Sequence, residues 1–497
     1  MGKLGDIYRA LFKPQADQSA KITALRQQAR MLKARYDAAQ TTVHNQRHWA
    51  NADGLSPAAA ASPEVRRRLR SRARYECIEN NSFAKGIILT LANDLIGRGP
   101  TPQVNVATGR KDANQHVERS FRSWCRSVGL ARKLRSMATS TPVDGEVFGV
   151  KTTNMRQRHE VKLDVRVLEA DYCSSPTIAT NDPRHVDGVR LDDDGNPVEY
   201  YFTTQHPGDG RGGFDIRPRG FDVDDVIHYF REDRPDQARG IPWVTPALPL
   251  FADLRRYSVA VMGAAETAAS PGGVMYSDAP ALDPDEEVDP MDVIDFEHRA
   301  MLTLPAGWKL EQIKAEQPTT TFEMFRNAIL NEIARCLNMP FNKAAGNSSG
   351  YNYSSGRLDH QTYFEAIDVA RQDFELLVLD KIFAWWLEEA ALIPGVLPDD
   401  MGPIALMSHT WRWPRFRHID PLKQAQADIA LWNAGLLSDE QYCYENDRDP
   451  EEHYASLGRQ YANRRQHFLP LPGENPLQPA TTRSDETEEE EEPAHAE

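Results

Sequence analysis

Apolar residues recur at helical spacing through most of the chain and switch to a period near two in one central stretch. Ile22, Leu25, Ala29, Leu32, Tyr36 and Ala39 predict an amphipathic helix over residues 20–40. A loop rich in Ala, Ser and Pro runs from Asn51 to Pro63. Pro63 then opens a second helix, where proline has no helical amide to lose. Asn80-Asn81 interrupts it, and an apolar helix follows from Phe83 to about Ile96, with Gly97 placed as a C-terminal cap. From about 143 to 231 the alternation predicts strands at Val147–Thr152, Val161–Leu168, Val186–Leu191, Val198–Thr204 and Val226–Arg231. Asp192-Asp193-Asp194-Gly195-Asn196-Pro197 reads as the hairpin turn between two of them. It looks superficially like a calcium loop, but its glycine falls at the fourth position rather than the sixth.

Gly240-Ile241-Pro242 breaks the pattern before a long helix from Pro246 to about Ser270, which Pro271-Gly272-Gly273 ends. A small unit with an acidic edge follows (Asp283, Asp285, Glu286, Glu287, Asp289, Asp292, Asp295), closed by a strand-turn-strand from Ala300 to Leu310. Phe322, Phe325, Ile329, Ile333 and Leu337 predict a second long helix. A third, from Arg357 to Leu392, would span roughly 54 Å at 1.5 Å per residue. Its middle, Leu376-Leu377-Val378-Leu379, is apolar on every side, as in a helix packed between neighbours. Trp411-Arg412-Trp413-Pro414 reads as extended, residues 421–461 as helical, and the acidic, Pro-rich stretch beyond Pro470 as disordered.

Between the second and third long helices lies a segment of different character, from Phe341 to Gly356, rich in Gly, Asn, Ser and Tyr. Such a composition buries too little apolar surface to form a core. It reads as a soft polar loop carried on two stiff arms.

The 497 residues are 40% hydrophobic and 26% charged, enough for two to four domains of an ordinary globular protein. No run approaches the roughly 20 apolar residues of a membrane helix, and Met1 to Asp6 shows no signal-peptide pattern. The cytoplasm of the producing cell is therefore the expected place of assembly. Cys77, Cys125, Cys173, Cys336 and Cys443 are widely spaced, which suggests neither a disulfide framework nor a zinc knuckle. Net charge is −15, of which the run Asp485–Glu492 carries seven acids. Bulk acidity argues against tight nonspecific DNA binding, which depends on Lys and Arg neutralising phosphates.

The motifs with chemical content each have a plainer reading. Gly346, Ser348 and Gly350 fit the Gly-x-Ser-x-Gly elbow of serine hydrolases. That chemistry needs a strand running into the serine, whereas a helix ending at Pro340 precedes it here. Arg66, Arg67, Arg68, Arg70, Arg72 and Arg74 suggest either a nonspecific DNA-binding helix or a set of ion pairs. They point to every face with few aromatics between them, and ion pairing is the preferred reading. Asp144-Gly145-Glu146 reads as a turn with an ion-pair partner rather than as an acid–base pair. No His-Glu-x-x-His zinc signature or phosphate-binding loop occurs, so no metal, cofactor, ATPase or other catalytic role is expected.

The order and spacing of the motifs carry a resemblance. They are the Arg-rich helix with Asn80-Asn81 and Gly97, Asp144-Gly145-Glu146-Val147-Phe148, Arg239-Gly240-Ile241-Pro242, and Pro305-Ala306-Gly307. Beyond them come Met339-Pro340, Tyr353-Ser354-Ser355-Gly356-Arg357, and Ile419-Asp420-Pro421-Leu422-Lys423 with Gly435. From about residue 20 to 460 the chain resembles the portal proteins of tailed bacteriophages, lambda family.

The resemblance implies an α+β protomer. Its parts would be a flexible 1–19, a wing over 20–245, stem helices at 246–270 and 321–340, and a clip at 271–320. A tunnel loop at 341–356, a long wing helix and return strand at 357–420, a crown at 421–465 and an acidic tail at 466–497 complete it. It further implies a ring, normally of twelve subunits, at one capsid vertex of the virion. That ring would conduct DNA during packaging and ejection, dock the large terminase subunit and head-tail connector proteins, and contact major capsid and scaffolding proteins.

Sliding DNA should meet few cations, because each Lys or Arg paired with a phosphate adds a counterion-release contribution to affinity. None lies between Lys343 and Arg357. Asn347, Ser348, Ser349, Asn352, Ser354 and Ser355, with Tyr351 and Tyr353, are the expected channel residues. The acids Asp283, Asp285, Glu286, Glu287, Asp289 and Asp292 are the expected terminase or connector face.

Overall fold

The structure is a computed structural model that describes residues 46–49, 62–175, 182, 184–209, 217–269, 273–277, 308–312, 321–350, 352–414, 416, 420–446, 448 and 450–470. Residues 1–59 form one unit, of which the helical turn Gln46–Trp49 is described. The predicted 20–40 helix, the acids at 283–295, Pro305-Ala306-Gly307 and the tail from residue 471 lie outside the described residues.

In the second unit, α1 (Pro63–Arg74) runs through a π-helical turn, Tyr75–Asn80, into α2 (Ser82–Ile96). Asn81 separates them in an extended conformation, and its side chain accepts the Phe83 and Ala84 amides as an N-cap. β1 (Thr101–Asn105) follows, then two helices in a stretch where the sequence pattern assigns nothing, α3 (Lys111–Val128) and α4 (Leu130–Asp144).

The period-two stretch forms two sheets. β2 (Glu146–Thr153) is central between β3 (Leu163–Glu169) and β8 (Val226–Phe230), both antiparallel to it. β4 (His185–Val186), β5 (Val189–Leu191), β6 (Pro197–Phe202) and β7 (Arg219–Asp222) form a four-stranded meander. The predicted strand Val186–Leu191 is thus split by a tight turn at Asp187-Gly188. The Asp192–Pro197 segment is a hairpin turn, its Asp192 carboxylate accepting the Asp194 and Asn196 amides at 2.9 and 2.7 Å.

Alternation along β2 sorts its side chains between two cores. Val147 joins the large helical core with Val165, Ile227 and Tyr229. Phe148 and Val150 join a second core with Tyr200 and Phe202. The large core centres on an aromatic cluster, in which Phe121 meets Trp124, Phe383 and Trp386 at centroid distances of 5.0–5.4 Å. The Trp124 indole donates to the Leu163 carbonyl at 3.0 Å, fixing α3 on the sheet.

α5 (Leu248–Ala269) leaves this body, and α6 (Thr321–Cys336) returns to it. Between them β9 (Gly273–Ser277) pairs antiparallel with β10 (Trp308–Gln312), so the described partner of the 308–312 strand is β9. The polar loop is shorter than expected. Phe341–Ala345 is a short helix, α7, and α8 begins at Tyr353 rather than Arg357. α8 (Tyr353–Phe374) passes through a π-helical turn, Glu375–Leu379, into α9 (Asp380–Ala390). That turn divides the apolar run: Val378 and Leu379 are buried, whereas Leu376 and Leu377 are 70% and 41% exposed. β11 (Ser408–Arg412) closes on β1, and α10 (Pro421–Asn433), α11 (Asp439–Glu445) and α12 (Pro450–Gln466) follow. Helices and antiparallel strands are segregated along the chain, an α+β arrangement.

Candidate functional site

The polar segment between α7 and α8 is anchored at its base. Lys343 on α7 meets Asp94 of α2 at 2.6 Å, and the Tyr363 hydroxyl of α8 donates to the same carboxylate at 2.9 Å. The Lys343 ammonium also lies over the Tyr363 and Phe364 rings, 4.8 and 5.1 Å from their centroids. Asn342 contacts His360 at 3.0 Å. Arg371 ties α8 to the end of α2 through the Leu95 and Asp94 carbonyls, at 3.1 and 3.0 Å. The cation at the α7 end of the segment is therefore neutralised by a carboxylate and held against aromatic faces.

Beyond this base the chain turns at Gly346 and becomes exposed at Ser348, Ser349 and Gly350. Asn347 accepts the Ser349 amide at 2.9 Å, a local turn of the kind short polar side chains make. Asn352 is the N-cap of α8, accepting the Ser355 amide at 2.9 Å, and the Ser355 hydroxyl bonds back to it. Of the expected channel residues, Ser348 and Ser349 lie in exposed turn, while Ser355 sits in the first turn of α8. Tyr351 and the side chains of Tyr353 and Ser354 lie outside what the structure describes. Ser348 is entered from a helix and a left-handed glycine, not from the strand an elbow requires.

The arginine helix divides by face. Arg67, Arg68 and Arg72 are exposed, whereas Arg66, Arg70 and Arg74 point inward at helical spacing. Arg66 pairs with Asp187, Arg70 with Asp171 at 2.6 Å, and Arg74 with Asp144 at 2.6 Å and Asp171 at 2.7 Å. Behind them lies a node assembled from two sequence motifs. Glu146 and Arg239 are both fully buried and bonded bidentately, Nε to Oε2 at 2.8 Å and Nη2 to Oε1 at 2.6 Å. The Gly240 amide adds a bond at 2.9 Å, and His228 Nε2 lies 3.0 Å from Oε2.

The glycines explain how these motifs meet. Gly145 has φ +90, and a Cβ there would sit 2.5 Å from the Ile241 carbonyl carbon, while one on Gly240 would run into the Gly145 carbonyl oxygen. Backbone approaches backbone so closely that only glycine fits. Burial alone would raise the Glu146 pKa, but the Arg239 guanidinium and the hydrogen bonds from His228 and Arg239 hold it well below the usual carboxylate range. Burial lowers the His228 pKa despite Glu146, so the ring stays neutral.

Asp144 goes the other way: burial raises its pKa against the pull of Arg74. Glu169, Asp171 and His206 bring ligand atoms within 4.8 Å of one another. Arg74 already meets two of them, Glu169 at 3.2 Å and Asp171 at 2.7 Å, so a guanidinium supplies the positive charge there. Spacing in the sequence does not separate the inward arginines from Arg68 and Arg72, which stand at the same four-residue interval. It does not signal Arg239, His228, Asp187 or the Lys343–Asp94 lock, whose partners are far apart along the chain.

Several helix faces present apolar side chains outward: Val259 and Met262 on α5, Met324 and Phe325 on α6, Leu358 and Val369 on α8, and Leu376 in the π-helical turn. Leu358, Val369 and Leu376 fall on one stripe at the 11- and 7-residue intervals of a helix.

The model of the family "Phage portal protein, lambda family" matches residues 43–371. A relative from Halomonas phage phiHAP-1, described as a probable portal protein, is 25% identical over 475 residues, covering 89% of this chain and 88% of its own. Among solved structures, the neck of an empty GTA particle computed with C6 symmetry is similar at TM-score 0.45 and 15% identity, over 86% of this chain and all of that one. The neck of the native GTA particle with C12 symmetry aligns at TM-score 0.44 and 15% identity, over 80% and 97%. An HK97 family phage portal protein from Corynebacterium diphtheriae aligns at TM-score 0.29 and 12% identity, over 75% and 99%.

Proposed function

The chain belongs to the lambda family of phage portal proteins, and we propose that the exposed polar segment between α7 and α8 is its DNA-contacting surface, facing the lumen of a ring of identical subunits. The portal role follows from the family; the residues that carry it are our assignment. One observation carries that assignment: Ser348 and Ser349 are exposed, while the cation that precedes them, Lys343, is bound to Asp94 and the next along the chain is Arg357 in α8. Hydroxyls and amides exchange hydrogen bonds with phosphates without reading sequence, and without the counterion release that would hold DNA in place.

On this reading α5 and α6 are the stem legs, and residues 271–320, including the β9–β10 pair, are the clip. α8 and α9 form the long wing helix, and α10 to α12 form the crown. The outward apolar stripes on α5, α6 and α8 are the faces a neighbouring subunit would cover, since patches of this kind mark interaction sites. The ring would hold twelve copies, as is usual in the family, with the large terminase subunit and head-tail connector proteins docking on it. The acids Asp283, Asp285, Glu286, Glu287, Asp289 and Asp292 are the proposed face for them.

Replacing Ser348 and Ser349 by lysine tests the assignment. Each added cation that meets a phosphate adds about 0.9 to the slope of log affinity against log salt. The double variant is expected to form normal rings yet package or eject DNA slowly, with the defect easing as salt rises. Unchanged DNA traffic through normal rings would refute a lumenal position. Charge reversal at Asp283, Asp285 and Glu286 is expected to weaken motor docking before it affects ring assembly.

A further inference from the structure

A cleft of about 780 Å³ opens where the loop after α2, helices α3 and α4, β11 and the start of α12 converge. Arg98, Arg122, Arg126, Arg132, Arg135 and Arg448 line it, contributed by four separate stretches of chain. Arg126, Arg132 and Arg448 are exposed. Two carboxylates share the wall, Glu118 and Glu452, and Glu118 also accepts the Val104 amide at 2.8 Å. This is a strongly cationic concavity on a chain of net charge −15. Arg135 is tied to the Gly97 carbonyl at 2.7 Å, so the exposed Arg126, Arg132 and Arg448 are the guanidiniums that attract a polyanion.

We propose that the cleft is occupied by the acidic run Asp485–Glu492 of the same chain, which thereby keeps DNA phosphates out of it. The run carries seven carboxylates in eight residues, a charge complement to the arginine wall. It is also within reach. α12 begins at the cleft, where Glu452, His453 and Ser456 line it, and its 17 residues carry the chain about 25 Å away. The stretch from Pro470 to Asp485 spans up to about 50 Å when extended, ample to return along the helix.

Tethering over that distance gives the run an effective concentration on the order of millimolar, which free DNA must compete against. A duplex must also approach a surface whose overall charge repels it. The docking is independent of the portal role; only its consequence for DNA rests on that reading.

The test uses the full-length assembled protein. Arg126→Lys and Arg132→Lys place amines in the cleft for zero-length carbodiimide coupling to carboxylates. Mass spectrometry is expected to find those positions joined to residues 485–492 in the monomer-sized band, falling about tenfold in 1 M salt as screening shortens to about 3 Å. Absence of these links, or their appearance only in dimer-sized bands, overturns docking within the same chain.

In a second arm, Glu488 to Glu492 are replaced by glutamine and binding of closed-circular DNA, which cannot thread a ring, is measured. Affinity at 50 mM salt is expected to rise at least tenfold, with a salt slope of about −5 for six phosphate contacts. Adding Arg126→Glu and Arg132→Glu should return it to the parent value. A tail-neutralised protein that binds DNA no better than the parent overturns the shielding role.

Discussion

Glu146→Ala strips Arg239 of its bidentate partner inside the protein. The carboxylate accepts two bonds from Arg239, at 2.8 and 2.6 Å, and one from the Gly240 amide at 2.9 Å, with His228 at 3.0 Å. What remains for Arg239 is the Asp187 carboxylate at 3.5 Å, already paired with Arg66, and carbonyl oxygen from Asp187 and, at 3.4 Å, from Ala170. Arg66 and Arg70 stay nearby, both almost wholly buried. Removing one partner of a buried pair costs about 3–5 kcal/mol, and here the survivor keeps only a carboxylate that it shares with Arg66. Replacing both with apolar side chains of similar volume, Glu146→Leu with Arg239→Met, removes that penalty and is expected to recover at least half of the loss.

The assay is urea unfolding followed by tryptophan fluorescence at fixed protomer concentration, with the two single variants completing a double-mutant cycle. A coupling energy of about 2–3 kcal/mol is expected. The reasoning fails if Glu146→Ala costs less than about 1 kcal/mol, or if the double variant is no more stable than the weaker single one.

Gly145→Ala and Gly240→Ala should each cost more than about 3 kcal/mol or prevent soluble expression, since the new Cβ meets backbone on the facing segment. Acid should destabilise the fold in two stages, read as thermal midpoint against pH. Burial holds the folded His228 pKa below its ordinary value of about 6.5, so its contribution is complete above about 6.5 and declines as pH falls below it. The lowered Glu146 pKa leaves its contribution complete above about 4.5 and lost only as pH falls through the folded value. His228→Gln should shrink the first stage, to which His360, its pKa also lowered by burial, contributes as well, and leave the second. Asp94→Asn should release Lys343 beside the polar segment and steepen the salt dependence of DNA passage; equal salt profiles for variant and parent would count against the lock. Leu358→Asp with Leu376→Asp should shift assembled protein towards free protomers in analytical ultracentrifugation without changing its circular dichroism.

Much of the secondary structure can be read locally because burial imposes a period. β2 is the clearest case: Val147 and Phe148 face different cores, so a period of two survives even where both faces are buried. α3 is harder to see. Val117, Phe121, Trp124 and Val128 keep helical spacing, but Arg119, Arg122 and Arg126 fall between them and dilute the pattern. β1 gives no local signal, because its partner β11 lies some 300 residues away and only the fold brings them together. The Leu376–Leu379 run misleads for a different reason: composition makes it apolar on all sides, and only the π-helical turn decides which pair the protomer buries. The site shows the same division. Local composition marks Ser348 and Ser349, whereas the Lys343–Asp94 lock spans 249 residues and leaves no trace in either segment.

The placement of cations links these observations. Half of the arginines on α1 are consumed by buried or half-buried carboxylates, where they join the helix to the sheets rather than facing solvent. Lys343 is consumed by Asp94 and two aromatic rings, and Arg371 by carbonyls at the end of α2 and by the faces of Trp413 and Phe416. These pairs tie α2, α7 and α8 into one rigid base. If the polar segment contacts DNA as proposed, such a base serves it, because an unpaired lysine nearby would add an attraction that no serine opposes. On the docking proposed above, the cationic cleft beside α3 and α4 takes an anion of its own. Uncovered, the exposed Arg126, Arg132 and Arg448 would give DNA a grip that the polar segment lacks, and the seven acids at 485–492 are the densest acidic run in the chain to cover them.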